Sequence, residues 1–308
     1  MKRSHLIFAL AGLGVSLLLP LVVRGDYHLQ VLFRIYLFAA LGLAWNLVGG
    51  YAGQLSLGHA AFFGAGAYGL ALFTRAGLPI GVALVLLVAL ALTFAMLIGG
   101  VSFRLRGPYF ALATIAFAEV LHAAAKNLPS VTGGDVGIQV PALFHDHVQR
   151  SFCYCAILLA AAALAATAVI SRSRFGYYLM AIREDQDTAL SVGVHAARTK
   201  LNALLVSATF TALGGALYAS LFLFIVPDQV LSIDISNEIA IVAMLGGAGT
   251  LAGPLVGALV LESAAELFKN VFQEAHLLIY GLLLIVVVLF LPEGIVGGVA
   301  SFVRRRKR

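Results

Sequence analysis

PIGVALVLLVALALTFAMLIGGV, residues 79–101, is 23 residues without a charged side chain. As an α-helix, rising 1.5 Å per residue, it would extend about 35 Å, more than the roughly 30 Å hydrocarbon core of a bilayer. A surface helix of a water-soluble protein keeps one polar face. Here Thr93 is the lone hydroxyl. Working outward, comparable apolar stretches lie at about 5–23, 31–49, 55–74, 108–126, 152–170, 201–225 and 276–299. An internally hydrogen-bonded helix is the natural way for such segments to cross lipid.

Composition agrees with a lipid solvent. Hydrophobic residues make up 61% of the 308 and charged residues 11%, against about 25% charged in a typical soluble domain. The expected fold class is therefore all-α: a polytopic membrane protein of about eight transmembrane helices. A broken or re-entrant Gly-rich segment at about 238–261 adds to these, interrupted by Gly246, Gly247, Gly249, Gly253 and Pro254. Residues 5–23 follow a basic start, as a signal peptide would. The stretch is long enough to span and no small-x-small cleavage site stands out, so a retained first helix is expected.

Lys and Arg set the orientation. With the N-terminus inside, inner segments hold fourteen of them: Lys2, Arg3, Arg104, Arg106, Arg172, Arg174, Arg183, Arg198, Lys200 and the five-residue tail 304–308. Outer segments hold four, namely Arg24, Arg75, Lys126 and Arg150. This bias predicts cytoplasmic N- and C-termini. The tail marks an anionic membrane surface rather than nucleic-acid binding. Eight crossings return the chain inside, so 238–261 must either enter and leave on one side or cross twice with a tight turn. The re-entrant path is the favoured expectation.

Two Gly-rich breaks resemble each other. Residues 50–56 read GYAGQLS and residues 246–252 read GGAGTLA, identical at four of seven positions. A pair of Gly-interrupted apolar segments in the two halves of a chain points to an internal repeat and a central pathway. Close helix packing is the competing explanation, since Gly249, Gly253 and Gly257, and likewise Ala61, Ala65 and Gly69, form small-residue faces.

Polar groups at membrane depth are the candidate pathway residues: Asn46, Gln54, Ser56 and His59 around the first break, and Gly246, Gly247 and Gly249 around the second. Tyr109 and Glu119 lie on the 108–126 helix. Glu119, His122 and Lys126 share one face at i, i+3 and i+7. Glu119 and His122 form either a structural pair or part of a pathway lining, and His59 is more simply a hydrogen-bonding structural residue. Cys153 and Cys155, two residues apart on a helix, suit neither a disulfide nor a metal site. No metal-ligand cluster, nucleophile elbow or phosphate-loop motif is present, so the chain itself cannot hydrolyse ATP.

Residues 171–200 are the longest polar interruption on the inner side. The middle predicts a short helix carrying Ala181, Ala189 and Leu190 among charges and ended by Gly193. It would dock in another protein's cleft or lie solvated on the membrane.

With these blocks assembled, the chain resembles the branched-chain amino acid ABC permease family, and within it the M-type subunits of leucine/isoleucine/valine uptake systems. The carrying motifs are GYAGQLSLGHA (50–60), RLRGPYFA (104–111), TGGDVGI (132–138), AIRED (181–185) to Gly193, LGGAGTLAGP (245–254) and PEG (292–294). They run in order over about residues 35–297. The resemblance implies one ABC-importer permease domain over 1–308 in a bacterial inner membrane. It implies a second, H-type permease, two cytoplasmic ATPases that use the ATP, and an extracytoplasmic solute-binding protein. No cofactor is implied for this chain and no enzymatic activity.

The resemblance further implies a cytoplasmic coupling segment within 171–200, with Arg183, Glu184, Asp185, Ala189 and Gly193 coupling to an ATPase. Many ABC importers carry Glu-Ala-Ala, three residues, then Gly in that segment; here Glu184-Asp185 stands in place of the triplet. Alternating access would follow, with coupling segments moving as the ATPases close. The alternatives are the same assembly importing urea, short amides or another small acid, and a self-sufficient ion-coupled carrier using Glu119 and His122 as a relay.

Overall fold

The computed structural model describes residues 14–23, 25–103, 105, 107–144, 147–271 and 294–298. The expected spans at about 5–23 and 276–299 lie mostly outside these, although 14–22 and 294–298 are helical. Among the described residues, ten helices of six residues or more carry the rest: α1 (Asp26–Asn46), continued by a π-helical turn Leu47–Tyr51, α2 (His59–Arg75), α3 (Ile80–Ser102), α4 (Pro108–Asn127) and α5 (Val148–Arg172), then α6 (Arg174–Glu184), α7 (Gln186–Ser191), α8 (Ala196–Phe222), α9 (Ile233–Gly246) and α10 (Gly253–Val271). Six helical stretches among the described residues are long and apolar enough to cross a membrane: Asp26–Tyr51, Ile80–Ser102, Pro108–Asn127, Val148–Arg172, Ala196–Phe222 and Pro227–Gly246. Five of them lie within about five residues of spans read from the sequence, at 31–49, 79–101, 108–126, 152–170 and 201–225; the sixth, Pro227–Gly246, overlaps the Gly-broken stretch, and the span expected at 55–74 is the shorter helix α2.

Helix α3 displays the physics of the whole. Ala83, Leu87, Ala91, Ala95 and Ile98 are buried at i, i+4, i+8, i+12 and i+15, one stripe packed on α2 and α8. Its other faces expose Val85, Met96, Leu97 and Val101. In water such an open apolar surface would drive aggregation; in lipid it is the ordinary boundary. Helix α1 is the opposite case, buried continuously from Leu37 to Val48. It is the axis of the bundle and packs against α5, α8, α9 and α10. Phe33, Leu37, Leu41 and Trp45 of α1 share one core with Phe63 of α2 and Phe152 of α5.

Small residues let these helices touch. A Cβ on Gly66 would overlap the Ala212 carbonyl, and one on Gly215 the Phe63 carbonyl, so α2 and α8 approach backbone to backbone. The same holds inside the hairpin of α9 and α10, where Gly246 faces Gly253 and Gly257 faces Val242. Packing therefore accounts for Gly246, Gly253 and Gly257, as small-residue faces in membranes do.

The 238–261 stretch is indeed broken, into α9 and α10, which fold back on each other as a hairpin around residues 247–252. Helix α10 runs antiparallel along α1 for its length: Gly249 and Thr250 meet Asn46, Glu262 meets Arg34, and Glu266 meets Tyr27. Nineteen residues of α10 extend about 28 Å, close to the length of α1. A departure lies at 52–58, which is non-helical although residues 55–58 opened an expected span. At the other end of the bundle from α6, Ile138 and Gln139 pair antiparallel with Ile225 and Phe224 in a two-stranded clip.

Candidate functional site: the junction of the two broken segments

The two breaks meet. Asn46, at the end of α1, accepts from Gly249 N through Oδ1 at 2.7 Å and donates from Nδ2 to Thr250 O at 2.8 Å. One amide thus satisfies a donor and an acceptor that the α9–α10 turn leaves free. Gly50 lies so close to Gly249 that a Cβ on it would strike the Gly249 nitrogen. Gly249 itself holds φ +79°, a left-handed conformation costly to any residue with a Cβ. Thr250 Oγ1 completes the turn, donating to Gly247 O at 2.7 Å and accepting from Gly253 N at 3.0 Å.

The first break is also held by side chains. Its π turn widens the helix end, with Ala52 N bonded to Leu47 O and Gln54 N to Val48 O, and single π turns often mark functional positions. Trp45 lies across Gly49, where a side chain would collide with the indole, and its Nε1 donates to Ser56 O at 2.7 Å. Leu57 N donates to Thr114 Oγ1 at 3.1 Å and Ala60 N to Ser236 Oγ at 2.8 Å. Non-helical backbone is tolerated at membrane depth where protein satisfies it.

The expected pathway residues divide by exposure. Asn46, Ser56 and His59 are fully buried, as are Gly246 and Gly247. His59 bridges Ser56 Oγ at 3.2 Å and Ser207 Oγ at 2.8 Å, tying the break to α8. Gln54 is half-buried, its Nε2 donating to Ala52 O at 3.4 Å, and Gly249 is half-buried in the junction. Tyr109 and Glu119 stand on an open stripe of α4 with Leu112, Ala116 and Ala123.

His122 is 3.6 Å from Glu119, but its shorter partner is Asp228 Oδ1 at 2.8 Å. Lys126 reaches the same Asp228 oxygen at 2.8 Å and Asp135 at 3.7 Å. A partner 106 residues away in the chain was not visible from helical spacing.

The expected coupling residues form a two-helix unit rather than one short helix. Asp185 interrupts it in extended backbone and caps α7, its Oδ1 accepting from Asp187 N at 2.8 Å and Thr188 N at 2.9 Å. That is an N-cap, the commonest use of Asp at such a position. Ala189 is buried with Ile182, Val194 and Ala196 in a small core. Gly193 turns the chain with φ +90°, and Lys200 Nζ donates to Gln186 Oε1 at 2.6 Å. Glu184 is exposed; Arg183 reaches inward, its Nη1 donating to Gly50 O at 2.8 Å.

One cluster was missed altogether. Arg34 of α1 donates from Nε to Glu262 at 3.0 Å and from Nη2 to Glu238 at 3.3 Å, clasping both arms of the hairpin. Part of the signal was present: Arg34 and Glu238 are charges within apolar stretches, where a charge must find a partner.

A match to the model of the branched-chain amino acid transport system permease component covers residues 27–288. The chain belongs to that permease family. The high-affinity branched-chain amino acid transport system permease protein LivM of Salmonella typhimurium is 30% identical, over 94% of this chain and 74% of its own length. The LivM protein of Escherichia coli K12 is similar to the same extent. The LivH permease protein of Escherichia coli K12 is 25% identical over 84% of this chain and 91% of its own. No solved structure matches the chain. The family match contains both breaks and the α6–α7 unit, so the junction lies within the family's own permease component.

Proposed function

We propose that this chain is one of the two membrane-spanning permease subunits of an ABC importer for branched-chain amino acids, driven by two ATPase partners, one of which docks on α6–α7. The observation that carries this is the surface of that unit. Tyr177, Leu190 and Val192 are exposed there beside Arg183, Glu184 and Asp187, and a polar-rimmed apolar patch is the ordinary form of a protein-docking surface. The distribution of Lys and Arg supports a cytoplasmic position for it, with both termini on that side of a bacterial inner membrane. ATP is used by the partners, not by this chain.

The translocation pathway in this proposal runs along the open stripe of α4. Glu119, eleven residues into α4, would be a costly lipid contact and is better satisfied by water or by a second permease of H type. Tyr109, Glu119 and Gln54 then face the solute. Asn46, Ser56, His59, Gly246, Gly247 and Gly249 shape the wall from behind. The end carrying the Ile138–Ile225 clip faces a solute-binding protein outside.

Labelled leucine uptake by cells making this chain, with and without its ATPases, tests the proposal. Uptake should vanish without the ATPases and persist under proton uncouplers while ATP is maintained. Uptake by this chain alone that collapses with the proton gradient would instead identify an ion-coupled carrier, and uptake of urea but not leucine would change the cargo. Glu119→Gln should lower uptake with assembly intact; unchanged uptake removes Glu119 from the pathway.

A further inference from the structure

Arg183 touches both breaks at once. It sits in the last turn of α6, and its Nη1 donates at 2.8 Å to Gly50 O in the π turn of α1. The face of Gly53 that lacks a side chain lies against its stem, with Cγ 2.9 Å and Cβ 3.3 Å from where a Cβ would stand. The corresponding face of Gly249, in the α9–α10 turn, lies against Nη1 itself. The guanidinium therefore occupies a slot that exists because Gly53 and Gly249 have no side chains. Both glycines hold positive φ, +64° and +79°.

The chemistry suits transmission of force. Arginine is charged at all relevant pH, and its planar fork presents five donors in fixed directions. A widened helix end leaves carbonyls without intrahelical partners, and Gly50 O is one that the arginine takes. The α6–α7 body behind it is stiffened by its own caps and small core. In front are the elements of the bundle with the least regular backbone, a π turn and a glycine turn, joined to each other by Asn46. A displacement of α6–α7 thus arrives at both breaks through one side chain.

Resting on the assignment of α6–α7 as the ATPase-docking unit, we infer that Arg183 is a positioning residue that couples movement of that unit to the paired breaks.

The test uses the assembled transporter with its ATPases and binding protein in liposomes, and reads leucine imported per ATP hydrolysed. Arg183→Ala should lower that ratio about tenfold, in the range of typical coupling effects between sites, with the ATPases still co-purifying. Arg183→Lys, which keeps a charged donor on a long stem, should recover at least about half of it. An unchanged ratio in Arg183→Ala overturns the inference. So does a loss of assembly in both variants, because the residue would then be a determinant of folding and not of coupling.

The docking assignment is checked separately. In a chain with Cys153 and Cys155 replaced by alanine, Val192→Cys carrying a photoactivatable cross-linker should capture an ATPase subunit. Failure of that capture removes the docking assignment itself, whereas capture with an unchanged ratio removes Arg183 alone.

Discussion

Two of the joints between helix α1 and the α9–α10 hairpin lie twelve residues apart on α1, about 18 Å along the axis, and they use different interactions. At the Tyr27 end the joint is charged: Arg34 clasps Glu238 and Glu262, and its guanidinium lies 5.9 Å from the centre of the Phe38 ring. At the Tyr51 end it is neutral: one amide, Asn46, meets the backbone of Gly249 and Thr250 among glycines. A buried charge cannot let go of its partner without a large penalty. A neutral hydrogen bond in a site with the Arg183 guanidinium at hand can be exchanged at modest cost. The contrast teaches where this bundle is permanent and where it can rearrange: the hairpin is anchored at one end and adjustable at the end that meets α6.

Breaking the charged joint should have the largest effect. Arg34→Gln leaves two carboxylates without their cation, one of them nearly fully buried, and should lower stability by about 3 kcal/mol. Unfolding of the purified protein in detergent measures this, and an unmoved midpoint would show that the joint contributes nothing. The triple change Arg34→Met, Glu238→Leu, Glu262→Leu sharpens the point. It removes every charge together and should recover most of the loss.

The neutral joint should be weaker. Asn46→Ala orphans Gly249 N and Thr250 O and should cost about 2 kcal/mol by the same measurement. A loss larger than that of Arg34→Gln would invert the comparison. Gly249→Ala forces a side chain into left-handed backbone and should cost about 1–2 kcal/mol. Its uptake defect should exceed what that loss of stability explains, since the added Cβ also meets Arg183.

Smaller effects serve as references away from both joints. Asp185→Ala removes the α7 cap and should cost about 1 kcal/mol, visible as faster hydrogen exchange over 186–191 with the hairpin amides unchanged. Exchange that spreads to 247–252 would mean the α6–α7 unit and the junction unfold together. Gly100→Ala, inside α3 with nothing within 4 Å of the new Cβ, should stabilise by a little under about 1 kcal/mol through helix propensity.

The legibility of these features follows from their range along the chain. The spans were readable because a membrane imposes a length and a polarity on each segment separately, as 79–101 illustrates. The Gly breaks and the polar interruption at 171–200 were readable for the same local reason. The charged clasp was only half readable: Arg34 and Glu238 stand out as charges in apolar stretches, yet the distances in sequence from Arg34 to Glu238 and Glu262, 204 and 228 residues, conceal the pairing. Asp185 shows the opposite difficulty. Its place in a motif suggested a contact with another protein, whereas its carboxylate is turned back to cap its own helix.

By itself the sequence determined the solvent, the helical class, the approximate spans, the family and the positions of the two interruptions, because each depends on residues near one another in the chain. Only the tertiary structure decided that the interruptions meet, that Asn46 and Arg183 join them, and that α10 runs antiparallel along α1. Those facts depend on which backbone groups lose their helical partners and which distant side chain is within 3 Å to replace them, and a linear pattern carries no such distance.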